Sequence, residues 1–175
     1  MDFRVLPIEN RDLFLRYAVP CGDVLVRRGE LQKELLDSMR NAVKEGSDVE
    51  FSIEDKFKVA SRMCTILAKQ MNKDRIDDEV IRRYFLVEHE KAILWRKQVK
   101  PDIDVEECKV YAGRITKLDD RFAFVKTPLG EVMLRTDFRE GLKLKEGDWV
   151  SKHYGYIAEK LDSSLAAKIP GMKRV

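Results

Sequence analysis

Near residue 100 the hydrophobic period of the chain changes, and that change limits what it can fold into. Before it, apolar residues recur at helical spacing. Beyond Glu107 they fall in short runs rich in β-branched and aromatic residues, separated by turn signals. The expected fold class is α+β: an N-terminal helical domain followed by a small OB-like closed β-barrel. Residues 101–107, with Pro101, four acids and no apolar cluster, read as a linker. The helical domain then covers 1–100, the barrel 108–161 and a C-terminal tail 162–175.

In the helical half, Asn10 is placed to cap a short helix carrying Leu13, Phe14 and Tyr17, which Pro20 and Gly22 are expected to end. Leu31, Leu35, Met39, Ala42 and Val43 make the stripe of a second helix closed by Gly46. Ser52 and Asp55 resemble a capping box for a third, whose Phe57, Ala60, Cys64, Leu67, Ala68 and Met71 share one side. Cys64 is therefore expected in the core, where a free cysteine acts as a small hydrophobe. A long helix from about Ile76 to Gln98 opens on Asp77, Asp78 and Glu79, and its apolar residues cover more than one stripe, implying burial on several sides. His89, between Glu88 and Glu90 and lacking a second histidine at zincin spacing, reads as a surface residue.

In the second half, Lys109–Leu118 is a strand in which Gly113 marks a bulge or a close backbone approach. Asp119-Asp120 turns the chain into Arg121–Lys126, where Phe122 and Phe124 face one way and Ala123 and Val125 the other. Thr127-Pro128-Leu129-Gly130 leads to a third strand, Glu131–Arg135, and Glu146-Gly147-Asp148 to a last one, Trp149–Ala158. So many short strands in so few residues suit closure into a barrel, which removes exposed edges. In the tail, Leu165, Ala166, Ala167 and Ile169 suggest a docked helical turn, and Lys173-Arg174 a frayed basic end.

Composition narrows the function. A hydrophobic fraction of 44% supplies real cores, while 37% charged residues at a net charge of +3 describe the dense, balanced surface of proteins with ion-pair networks, such as heat-adapted ones. That balance argues against a duplex-DNA binder, so nucleic acid is not the default partner. Cys21, Cys64 and Cys108 are odd in number and widely spaced, which fits neither a disulfide framework nor a zinc knuckle and points to a reducing cytosol. No signal-peptide pattern and no membrane-spanning apolar run is present, so a soluble cytoplasmic protein without a membrane partner is expected. No Walker loop, dinucleotide fingerprint or nucleophile elbow supports a stand-alone enzyme. By itself Cys108 reads equally as a metal ligand or an ordinary thiol at a strand start, and His153 more readily as a barrel histidine bonded to backbone than as a ligand.

The β half resembles HypC-type hydrogenase assembly chaperones. Cys108, Gly113, Arg114 and Ile115 match the family's opening pattern at the same spacing; Asp148, Val150, His153, Gly155 and Tyr156, followed by Glu159-Lys160-Leu161, match its closing strand. The resemblance covers roughly the last third of the chain. It departs in that the cysteine is internal, whereas the family has it second in the chain. Ala112 also stands for the usual proline, and Lys109 for an apolar residue. The resemblance implies an accessory protein for nickel–iron hydrogenase maturation, binding iron as Fe(CN)2CO through Cys108 with His153 as second ligand or proton partner. A HypD-like scaffold and the hydrogenase large-subunit precursor would be its partners, met through Gly113, Arg114, Tyr154 and Tyr156. One thiolate and one imidazole leave the coordination sphere incomplete, so a partner is expected to supply the rest. Two alternatives remain: an OB-like binder of single-stranded nucleic acid, with Trp149, Tyr154 and Tyr156 as stacking platforms, and a HypC-like barrel reused for protein interaction without metal.

Overall fold

A computed structural model of the chain describes residues 3–138 and 141–169. Two compact units result, Met1–Phe85 and Leu86–Val175.

The helical unit begins with α1 (Arg11–Ala18), whose first turn is capped as expected: the Asn10 side-chain oxygen accepts from the Leu13 N–H at 3.0 Å. Pro20 and Gly22 do not end the helical path. Pro20 sits in the first turn of a 3-10 segment, Val19–Cys21, where its missing N–H costs nothing, and α2 (Gly22–Arg27) follows. Gly22 is needed for packing, since a Cβ there would lie 2.2 Å from Leu36 Cδ1. In α3 (Lys33–Glu45) Leu36, Met39, Ala42 and Val43 are buried, one position off the expected stripe at Leu35, and Gly46 closes the helix at φ 65°. The Ser52–Asp55 box does not form. Ser52 Oγ donates instead to Glu54, and α4 (Lys58–Gln70) starts only after Phe57. Cys64 is in the core, and burial pushes its thiol far above the ordinary value. Asp77 caps α5 (Asp78–Arg82) through the Val80 N–H. The unit's centre is aromatic: Phe14 lies edge-on to Phe57 and Phe85 at 6.2 and 5.9 Å, and Tyr17 stacks on Phe85 at 4.9 Å.

The helical path continues through a π turn, Arg83–Glu88, into α6 (His89–Val99). The division between the compact units therefore falls within this path. Residues 101–107 hold buried Ile103 and the start of a short helix, α7 (Val105–Cys108), capped by Asp104. Five strands follow, β1 (Tyr111–Leu118), β2 (Phe122–Thr127), β3 (Gly130–Arg135), β4 (Trp149–His153) and β5 (Tyr156–Leu161). They close in the order β1-β2-β3-β5-β4, with β3 and β5 parallel and the other pairs antiparallel. This is the α+β architecture the periodicity predicts, in Greek-key order. The run expected as one last strand is two, because Tyr154, at φ 50°, and Gly155 reverse the chain.

Alternation places Ala123 and Val125 inside with Ile115, Leu134, Leu144, Val150 and Ile157, and leaves Phe122 and Phe124 outside. Gly113 marks a close approach: a Cβ there would lie 2.4 Å from Val125 Cγ1 and 2.8 Å from the Lys126 carbonyl. The irregularity in the ladder falls further on, between Ile115 and Lys117. A final helix, α8 (Ser163–Ala167), is capped by Asp162 and buries Ala166; Ile169 beyond it is also buried. The basic end lies outside the described residues. Among those described, no helix is long and apolar enough to cross a membrane.

Candidate metal centre

Strand pairing builds the site. Tyr111 pairs with Lys152, so the entry of β1 lies beside the exit of β4. Cys108 precedes that entry and His153 is the last residue of β4, so closing the barrel brings together two residues far apart in sequence. A third comes from α6. His89 is its first residue, and its Nε2 lies 3.9 Å from Cys108 Sγ. The His89 and His153 rings meet edge to face, 5.2 Å between centroids and 89° between planes. One ligand atom from each of the three residues lies within 4.8 Å of the other two.

Polar links hold α7 in place between α6 and the β4–β5 turn. Lys109 Nζ is 3.1 Å from both Glu90 of α6 and Glu106 of α7. The Tyr154 N–H donates to the Glu107 carbonyl at 3.2 Å, and the Tyr111 hydroxyl donates to Glu106 at 2.6 Å. Lys152 Nζ lies 3.5 Å from the Glu107 carbonyl and 3.8 Å from its carboxylate.

Burial holds His89 well below the ordinary imidazole value, and the nearby His153 adds to this against a hydrogen bond with the Cys108 backbone. His89 is thus neutral at pH 7, the form in which imidazole ligates metals. Burial likewise draws the Lys152 ammonium below its usual value, opposed by Glu107 and Cys108. A zinc-like ion about 2.3 Å from sulfur and about 2.0–2.1 Å from imidazole nitrogen sets ligand atoms roughly 3.3–3.6 Å apart in a tetrahedron. The observed 3.9 Å approach is close to that, and a thiolate with two imidazoles suits borderline metals.

Of the residues singled out in the sequence, Cys108 is half-buried at the end of α7 and His153 fully buried at the end of β4. The His153 ring packs against His89 and Tyr154, while its Nε2 atom makes no hydrogen bond among the described residues. Arg114 is exposed and donates from Nε to the Gly147 carbonyl at 3.1 Å, and Tyr154 is half-buried. Gly113 and Tyr156, expected at a partner surface, are instead buried. Gly113 lies against β2, and Tyr156 stacks on Phe138 at 5.6 Å while its hydroxyl accepts from Arg135. His89 reverses its expected role: it is 8% exposed and faces the cluster. Its acidic neighbours suggested solvent; the several-sided apolar pattern of its helix was the signal that could have placed it inside.

Fold and site together define a small Greek-key barrel with a thiol–imidazole donor set where β4 ends and β1 begins. No family model, curated protein or solved structure matches the chain.

Proposed function

We propose that the barrel unit is a metal-handling accessory module of the HypC type, carrying iron, as the Fe(CN)2CO precursor, on Cys108 and His153. The observation supporting this most directly is that these residues, at opposite ends of the sequence pattern, have ligand atoms within 4.8 Å of each other. Low-spin iron bearing cyanide and carbonyl is soft, and a thiolate suits it. In this reading the protein acts in the cytoplasm, shares its cargo with a HypD-like scaffold and passes it to the large-subunit precursor of a nickel–iron hydrogenase. Arg114 and Tyr154 are its accessible contacts for those partners. Anaerobic purification of the full chain tests this: iron and a scaffold or precursor copurify with the wild type, and Cys108→Ala loses the iron. Iron content unchanged by that substitution removes the reading. Partner capture without any iron supports a barrel reused for protein interaction.

One observation favours a second reading. Phe122 and Phe124 stand on the outer face of β2; Lys117 Nζ lies 5.9 Å from the centre of the Phe124 ring, and exposed Met133 pairs with Phe124. Strands 2 and 3 of OB barrels are where single-stranded nucleic acid stacks. Binding of a labelled oligonucleotide should then weaken steeply with salt and fall with Phe124→Ala. A flat salt titration dismisses it.

A further inference from the structure

Building on the reading of Cys108 and His153 as ligands, we propose that His89 is a third ligand. The chain then binds by itself a borderline divalent cation of the Zn2+, Co2+ or Fe2+ class, through one thiolate and two imidazoles. One coordination position stays open.

Three independent elements converge on the site: the start of α6, the end of α7 and the end of β4. The two buried rings stand edge to face 5.2 Å apart and the Cys108 sulfur lies 3.9 Å from His89 Nε2, so the three donors share one small volume. The π turn before α6 matters here. A widened turn shifts the phase of the helix after it, and π turns recur at functional sites. In this phase His89 is buried while Glu90, its neighbour, reaches Lys109 at the edge of α7. The Lys109 bridges and the Tyr154–Glu107 hydrogen bond then hold the backbone of all three ligand-bearing elements, so the ligands are placed before metal arrives.

Three protein ligands with a vacant fourth position describe an exchange or reaction site, whereas structural zinc sites are closed by four. A scaffold is then not required for metal capture, only for what enters the open position.

The test uses the reduced full chain. In Zn2+-loaded wild type, X-ray absorption should find one sulfur at about 2.3 Å and two imidazole nitrogens at about 2.0–2.1 Å. Anaerobic Co2+ titration should give sulfur-to-cobalt charge-transfer bands, and His89→Gln should lower the affinity by more than about 100-fold, beyond the 10–100-fold loss caused by a residue that only orients a ligand. A spectrum with a single imidazole, or a smaller loss in the variant, overturns the proposal and leaves Cys108 and His153 as a two-ligand pair. The absorption measurement needs no variant, so it decides the matter even if His89→Gln fails to fold. No uptake of either ion by the isolated chain overturns the proposal, while iron lost from the copurified complex on Cys108→Ala would still uphold the two-ligand reading shared with a scaffold. Two imidazoles on the metal, with no iron cargo in the copurification experiment, uphold His89 and remove only the hydrogenase reading.

Discussion

The two units of the chain bury different kinds of side chain. Among the described residues, the helical unit's buried polar residues are Ser61 and Thr65, set in an aromatic and aliphatic core that also encloses Nε of Arg16 and of Arg40. Thr65 Oγ1 donates to the Ser61 carbonyl and accepts from the Leu6 N–H, so it costs little. The barrel unit buries His89, Asp148, Lys152, His153 and Glu159. Burying ionisable groups costs stability unless they are paired or held by a ligand. The contrast is one of composition: the helical unit buries hydroxyls, whereas the barrel unit buries ionisable groups, of which Asp148 is paired with Lys160 at 2.9 Å.

Substitutions can sharpen or break that contrast. The largest effect on stability is expected at Phe14→Ala, where an aromatic side chain with no solvent exposure leaves a cavity costing about 3–5 kcal/mol. A lower urea midpoint at unchanged slope would register it. Gly113→Ala should cost about 1–3 kcal/mol by overpacking against Val125, and Val125→Ala in the same chain should recover part of it. If the two losses simply add, the close approach is not what the glycine serves.

Lys152→Met should leave stability unchanged or raise it, since a desolvated ammonium is replaced by an apolar chain of similar length. It should also slow alkylation of Cys108 at pH 7, because the ammonium favours the thiolate. Destabilisation would show that Lys152 is structural and weaken the contrast between the units.

The smallest effect concerns acid. Burial disfavours the Asp148 carboxylate, but the Lys160 ammonium at 2.9 Å and the Lys145 N–H outweigh it, and its value falls below the ordinary 3.8. The unfolded chain then takes up the proton first. This contribution is complete above pH 3.8 and is lost as pH falls through the lower folded value. Acid unfolding followed by circular dichroism should show a shallower limb for Asp148→Asn.

Much of the architecture was legible in local pattern. The Asn10 cap, the Gly46 stop, the burial of Cys64 and the outward Phe122 and Phe124 all follow from spacing within one element, because a helix or strand buries one face and its period records which. The candidate site was legible in part: Cys108 and His153 stood out through a resemblance, whereas His89, flanked by glutamates, did not. Neighbours along the chain describe the face of its helix and carry no information about α7 packing against it.

Local pattern in the residues was enough to set the two classes of structure, their order and the inward set of the barrel, since these depend on periods of 3.6 and 2 read over a few residues. Tertiary structure alone decided that Tyr154 would split the last strand and that the pairing of Tyr111 with Lys152 would carry a thiol to an imidazole. It also decided that a histidine from a preceding helix would join them. Those outcomes depend on strand register and chain closure, which sum many weak, distant contacts and leave no periodic trace in the residues they bring together.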